Sequence, residues 1–354
     1  MERGFSAFSH GKDGLVDVAV IGCGYWGPNL VRNLVENHTC RRIVCCDVDY
    51  DRLERLSKRY PNLFYTTKYE EVLKDGQIDA VMIATPVSTH HELAKRALLA
   101  GKHTFVEKPL TSTVQQGMDL AKLADERKLV LMVGHTFEYS PPVLKIKELI
   151  SKHELGDIYY VSSARVNLGL HQSDISVVWD LAPHDLSMLL YWLEESPVRV
   201  FAMGKAFVQR GISDVAFVNL EFPSGVIAHV QVSWLSPSKL RRTTIVGSSK
   251  MLIYDDTEHT EKVKLYDKGV DFKDPQTFGE FQLSYRSGDI VSPKLDTYEP
   301  LKAEVEHFLN CVLTGQTPRS DAQSGIRVVR ALEAVERSMR EGCAVEILAE
   351  DSVA

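Results

Sequence analysis

A short apolar strand that runs straight into a glycine turn and then into an apolar-periodic helix leaves a chain few folds to choose from. Here Val16 to Ile21 leads directly into Gly22-Cys23-Gly24-Tyr25-Trp26-Gly27, followed by Leu30, Val31, Leu34 and Val35 at helical spacing. The three glycines have distinct tasks: a tight turn, close backbone approach to a phosphate, and close packing of helix on strand. The helix N-terminus then offers free N–H groups and a positive dipole end to an anion. A second apolar strand, 42–46, ends in Asp47, about twenty residues past Gly27, where a ribose-binding carboxylate belongs. The segment reads as a dinucleotide site with Gly22, Gly24, Tyr25, Trp26, Gly27 and Asp47 around the cofactor. Asp47 favours NAD, with Asp49 and Asp51 deepening a negative lip, while Arg52 leaves NADP open as the alternative.

From residue 15 to about 138 short apolar strands (16–21, 42–46, 79–84, 103–107 and 129–133) alternate with amphipathic helices, which predicts a doubly wound parallel sheet. Thr89 with Glu92 has the form of a capping box, and Gly101 of a helix stop. Residues 1–14 read as a flexible N-terminal segment. Beyond Tyr139, Pro141-Pro142 opens a helix through Ile150, and strand signals then dominate: 158–168, 197–207, 214–222, 226–234 and 241–254. Residues 139–354 are therefore expected to form a second α/β domain with a large, open, mostly antiparallel sheet. Its last helices, about 300–314 and 321–340, are expected on that sheet or back on the first domain. In the hairpin 214–234, Ala216, Val218, Leu220, Phe222, Val226, Ala228, Val230, Val232 and Trp234 share one face by alternation, which makes that face core. Val215, Phe217 and Ile227 on the other face suggest a homo-oligomer, dimer or tetramer, formed through this sheet; a solvated face is the alternative.

Bulk properties narrow the function. The 354 residues are 44% hydrophobic and 25% charged, ordinary for a globular chain, and the net charge of −7 gives no basic footprint for nucleic acid. No apolar run is long enough for a membrane span or a signal peptide, so a cytoplasmic protein with no membrane partner is expected. The six cysteines lack zinc spacing, and no metal site is expected.

An open α/β sheet binds its ligand at the carboxyl ends of its strands, so chemistry is sought after Ile21, Ala84, Glu107 and Val133. Thr85-Pro86 reads as a cofactor wall. Glu107-Lys108-Pro109 arrives at the expected nicotinamide rim, with Glu107 a cofactor contact and Lys108 either a reacting-centre ammonium or a surface lysine in a loop. The following proline restricts the backbone and permits a cis bond. His90 and His91 fall in the first turn of the next helix; solvated or capping roles are the ordinary reading, and His90 is carried as a cofactor contact. His135 and Tyr139, with Glu138 between them, end the next strand at the same rim and are candidates for the substrate pocket, as is Asn167 for a substrate hydroxyl. In Trp179-Asp180-Leu181-Ala182-Pro183-His184-Asp185, Pro183 fits a first helical turn. Asp180 and His184 then lie one turn apart, as a proton-transferring histidine and its supporting carboxylate would. A helix cap and a buried polar residue are the alternative, and Asp185 reads as a first-turn partner of the helix dipole.

The glycine fingerprint, Ala84-Thr85-Pro86, Glu107-Lys108-Pro109, and Asp180 four residues before His184, in that order, resemble the Gfo/Idh/MocA family of nicotinamide-dependent oxidoreductases over about residues 16–341. The resemblance implies a Rossmann domain followed by an open-sheet domain. It also implies roles: Lys108 orients the substrate and polarises the reacting oxygen, His184 is the general acid/base, and Asp180 supports it. The segment Glu299-Pro300-Leu301-Lys302 through Asp321 is similar to members acting on nucleotide-linked sugars, which points to oxidation or reduction at a secondary alcohol or ketone of such a sugar, of the 3-dehydrogenase or 3-ketoreductase type. Where many sugar-acting members have an arginine, this chain has Glu138. An inositol or free-sugar dehydrogenase, an NAD-dependent glycosidase and a non-catalytic dinucleotide-binding regulator are the competing classes.

Overall fold

A computed structural model describes residues 14–272 and 283–347. The expected N-terminal segment, apart from Gly14, lies outside the described residues. The chain forms two compact units, one built from the residues up to Tyr139 together with Tyr298–Val329, the other from Ser140–Thr297 and the residues from Arg330 onward.

In the first unit the order is β1 (Val16–Ile21), α1 (Gly27–Val35), β2 (Cys40–Cys46), α2 (Tyr50–Arg59), β3 (Phe64–Thr66), α3 (Tyr69–Lys74), β4 (Ala80–Ile83), α4 (Val87–Leu99), β5 (His103–Glu107), α5 (Val114–Arg127) and β6 (Leu131–Gly134). The strands pair in parallel in the order β3-β2-β1-β4-β5-β6. β1, β4, β5 and β6 are buried along their whole length, which explains why they read as continuous apolar runs rather than alternation. β3, only three residues long and partly exposed, gave no such run and was not anticipated. The supposed capping box does not form: α4 begins two residues before Thr89, with Pro86 at its N-cap, and the Thr89 hydroxyl donates to the Pro86 carbonyl at 2.7 Å instead.

The second unit begins with α6 (Pro141–Ser151), β7 (Ile158–Val166), α7 (Val177–Leu193), β8 (Arg199–Lys205), β9 (Val215–Glu221) and β10 (Ile227–Ser233). It continues through β11 (Leu240–Gly247), β12 (Met251–Asp255), β13 (Val263–Phe272) and β14 (Leu283–Val291). α8 (Pro300–Thr314) belongs to the first unit, α9 (Ala322–Glu341) is divided between the two, and β15 (Val345–Glu346) closes the second sheet, ordered β14-β13-β12-β11-β7-β10-β9-β8-β15. The pairs are antiparallel except β7 with β10. The stretch 241–254 is therefore a hairpin and not one strand. It turns at Gly247, whose backbone packs so close to Leu155 that an added Cβ would stand 2.2 Å from the Leu155 carbonyl oxygen. The edge strand β14 and its neighbour β13 went unread because they carry charge and glycine, here Lys264, Asp267, Arg286 and Gly288, that interrupt an apolar pattern.

Two packings position functional residues. α8 turns Leu301, Val305, Phe308, Leu309 and Val312 into the first core, with the Phe308 ring edge-on to Phe105 of β5 at 5.7 Å. Each such fully buried side chain contributes about 1.5–3 kcal/mol. α7 lies on β7, β9 and β10 and is anchored by Asp185, which accepts from Arg165 of β7 at 2.6 Å and from the Ser163 hydroxyl at 2.7 Å. Asp185 is thus a buried ion-pair partner in mid-helix and not a first-turn dipole residue. The reason is that α7 starts at Val177 with Ser176 at its N-cap, which places Pro183 inside the helix, where its ring offers no N–H to the Trp179 carbonyl.

Candidate active site

The glycine turn of the first unit fits a dinucleotide on steric grounds. Gly22 has φ +92°, and an added Cβ would lie 2.6 Å from the Ala84 carbonyl oxygen; at Gly27 it would lie 1.9 Å from the Gly22 carbonyl oxygen. Neither position tolerates a side chain, so turn, neighbouring strand end and helix close on one another, and the positive end of the α1 dipole stands at the turn. Asp47 holds the turn from below: its Oδ2 accepts from the Cys23 N–H at 2.6 Å and its Oδ1 from the Asp49 N–H at 2.9 Å. Arg52 stands 3.5 Å from Asp47 and lies against Gly24. Tyr25 is 88% exposed beside the turn, and Trp26, half-buried, is the N-cap of α1.

Thr85 and Pro86 follow β4 at the same edge of the sheet, and the Thr85 hydroxyl pairs with that of Thr89 at 2.7 Å. Lys108 follows β5 half-buried, with a cis bond to Pro109. Glu107 points into the protein. Burial pushes its carboxyl up to about 7, against the opposing influence of the Lys108 ammonium and the Trp26 indole N–H. It occupies the space that Gly134, its partner in β6, leaves empty: a Cβ there would meet Glu107 Oε2 at 2.9 Å. Glu304 of α8, absent from any motif, is fully buried nearby, accepts from the Thr136 hydroxyl at 2.8 Å, and is held well above the usual carboxylate range by burial and by Glu107.

Of the residues after β6, His135, Glu138 and Tyr139 are buried. His135 is buried, and burial with the Lys108 charge pushes its imidazole down to about 3, so it stays neutral and moves no proton near pH 7. Tyr139 is buried with its hydroxyl 3.0 Å from the Ser320 hydroxyl and its ring under the Arg319 guanidinium at 4.8 Å, so this side chain ties the turn to the segment before α9. Glu138 is 3% exposed, its carboxyl pushed up to about 8 by burial despite Arg319 and Arg327. The residue that departs from the arginine pattern is therefore internal. His90, carried as a cofactor contact, is buried too, with both ring nitrogens on backbone carbonyls, Pro109 at 2.9 Å and Thr85 at 2.8 Å.

In the second unit, Asp180 and His184 lie on one face of α7, four residues apart and half-buried. The Asp180 carboxylate accepts from the Trp234 indole N–H at 3.0 Å. Sequence alternation put Trp234 in the core, where its ring is; only the fold shows that its polar edge holds Asp180. Asn167 follows β7 half-buried, its N–H donating to the Ser233 carbonyl at 3.1 Å. Among the described residues no group of His, Cys, Asp and Glu is arranged to hold a metal ion.

Residues 16–135 match the oxidoreductase family with an NAD-binding Rossmann fold, and residues 143–253 match the GFO/IDH/MocA C-terminal domain. The chain is 30% identical to the UDP-N-acetylglucosamine 3-dehydrogenase of Acidithiobacillus ferrooxidans over 72% of its own length and 77% of that protein. This chain belongs to the Gfo/Idh/MocA family. It is an NAD(P)-dependent oxidoreductase acting on CH–OH groups. It is also 28% identical to the NAD-dependent scyllo-inositol 2-dehydrogenase of Bacillus subtilis (strain 168), over 94% of its length and 96% of that protein. The solved Acidithiobacillus UDP-N-acetylglucosamine 3-dehydrogenase superposes with a TM-score of 0.76 at 25% identity, covering 92% of this chain and 97% of the other. GenD2 from gentamicin A biosynthesis, in complex with NAD, has the same fold with a TM-score of 0.80 at 24% identity, covering 98% of this chain and all of the other. Among the described residues no helix is long and apolar enough to cross a membrane.

Proposed function

We propose that this chain interconverts a secondary alcohol and a ketone on the sugar ring of a nucleotide-linked sugar, at the 3-position, with NAD as the preferred cofactor. A bound nicotinamide would supply the hydride acceptor or donor. The glycine turn and the first turn of α1 would hold the pyrophosphate, Asp47 the adenosine ribose, and Thr85-Pro86 the wall beside the nicotinamide ribose. Lys108 stabilises negative charge developing on the reacting oxygen, a form of electrostatic assistance worth a few kcal/mol. His184 takes or returns the hydroxyl proton, and Asp180, itself oriented by Trp234, keeps the imidazole turned correctly. Asn167 contacts a substrate hydroxyl.

The observation that carries this reading is the placement of Lys108 at the carboxyl end of β5, in the same sheet as the glycine turn of β1 and Thr85 of β4. A free cyclitol is the second reading, favoured by the near full-length match to the inositol dehydrogenase. Turnover followed at 340 nm with UDP-N-acetylglucosamine and with scyllo- and myo-inositol separates the two, and His184→Asn should lower kcat about a hundredfold or more without weakening NADH binding. Equal turnover in that variant removes the assignment. Tighter binding of NADPH than of NADH overturns the cofactor preference.

The outer face of β8 to β10 bears exposed Phe201, Met203, Phe217 and Ile227, with Arg199 and Glu221 at one end. Its apolar area suits a buried surface, and the two signs of charge let a second copy related by a two-fold axis pair with it. Phe217→Glu should then convert a dimer to a monomer in light scattering; a monomeric parent protein contradicts this. The reading places the enzyme in the cytoplasm, in agreement with six cysteines that form no disulfide.

A further inference from the structure

β4 and β5 are laddered neighbours as far as Ile83 and Val106, after which each strand enters its own turn. Thr85 stands in one turn and Pro109 in the other. Between them lies a single ring: His90 of α4, 1% exposed, with Nδ1 2.9 Å from the Pro109 carbonyl oxygen and Nε2 2.8 Å from the Thr85 carbonyl oxygen. Past the end of the ladder, this buried ring stands between the two turns, bonded by its N–H to one carbonyl and packed against the other. The rest of the buried face of α4, Ala94, Ala97 and Leu98, packs without polar groups, so the helix itself has no need of a histidine at this point.

Two carbonyls facing one ring restrict it closely. An imidazole presents two polar edges in one plane, and each faces the backbone of a different turn; burial lowers the basicity of the ring, so the neutral imidazole donates its one N–H to one of the two carbonyls and packs against the other. Thr85 belongs to the wall assigned to the cofactor, and Pro109 directly follows Lys108. The carbonyl of residue 109 cannot be fixed in space without also fixing the peptide that carries the lysine.

We propose that His90 is a positioning residue that clamps the Glu107-Lys108-Pro109 turn to the Thr85-Pro86 turn and so sets where the Lys108 ammonium stands. The inference deepens the functional reading above and rests on its assignment of Lys108 to the chemistry. It replaces direct contact of His90 with the cofactor by action through the backbone.

Two variants test it. His90→Phe keeps a planar ring and offers no donor; His90→Gln keeps an N–H donor for a carbonyl oxygen on a flexible stem. Three readouts are taken on the full chain: amide hydrogen exchange over residues 84–90 and 107–113, NADH affinity by fluorescence, and kcat with the substrate found by the 340 nm panel. In the Phe variant, exchange in both segments should accelerate at least tenfold and kcat should fall at least tenfold, a larger factor than any loss of NADH affinity. The Gln variant should recover at least part of both losses. Unchanged exchange in the two segments overturns the clamp, and so does a Gln variant as impaired as the Phe variant. Faster exchange with unchanged kcat also overturns it, since the turn would then not govern Lys108. If no sugar or cyclitol is turned over, the functional reading fails while the exchange data still decide whether the two turns are clamped; if His90→Phe does not fold, His90→Asn, whose shorter side chain falls short of the carbonyls, takes its place beside the Gln variant on the same readouts.

Discussion

Replacing Trp234 by phenylalanine keeps an aromatic ring in the core and deletes the indole N–H that reaches Asp180. That bond is 3.0 Å long and its donor residue is 1% exposed, so water does not substitute for it. A hydrogen bond to an ionised group contributes about 1.5–3 kcal/mol. If about half of the upper figure is expressed in the transition state, kcat falls roughly tenfold, since about 1.4 kcal/mol is one power of ten. The smaller ring also loosens packing and lowers stability by about 1–3 kcal/mol whatever Asp180 does, so the rate has to be separated from the fold. A double-mutant cycle does this: kcat is measured for the parent, Trp234→Phe, Asp180→Asn and the pair, at a temperature where all four are folded. Trp234 acting through Asp180 predicts that its tenfold effect disappears in the Asp180→Asn background. The same tenfold loss in both backgrounds refutes the reasoning and reduces Trp234 to packing.

Glu138 gives a pH prediction. With its carboxyl pushed up to about 8 by burial, it is neutral in the fold where the unfolded chain has already ionised it at its ordinary value of 4.5. The unfolded state therefore binds fewer protons, and stability declines as pH rises from 4.5 to 8, by up to about 1.4 kcal/mol per pH unit from this group. Glu138→Gln should gain on the parent across that window in urea midpoints and level off above it; parallel curves would contradict the burial argument. The Arg165 and Asp185 side chains are 4% and 2% exposed, so Arg165→Met alone should cost about 3–5 kcal/mol, whereas Arg165→Met with Asp185→Leu should restore most of it in thermal unfolding. A single variant as stable as the parent would mean that the pair does not anchor α7.

The parallel sheet was legible because strands buried on both faces leave unbroken apolar runs, and the glycine turn because Gly22 and Gly27 stand where no Cβ fits. The antiparallel core was equally plain from alternation in β9 and β10. What stayed hidden depends on contacts between residues far apart in sequence. Glu304 lies 197 positions from Glu107, and the indole N–H of Trp234 finds Asp180 only after β10 is placed beside α7. His90 and Tyr139 stand near the strand ends, and their polar atoms face protein partners, which sequence position alone does not reveal. Pro183 misled for a related reason: proline marks a first turn by local preference, and burial of Val177, Val178 and Trp179 extends α7 one and a half turns further back.

The central claim is that hydrogen leaves a ring carbon of the substrate for the cofactor while this chain's side chains handle only the proton. Substrate deuterated at the reacting carbon, incubated with the protein and NAD, should give NADH heavier by one mass unit, in amounts that fall with Lys108→Met and His184→Asn. Unlabelled NADH, or ketone formed with no label in the cofactor, would contradict the account.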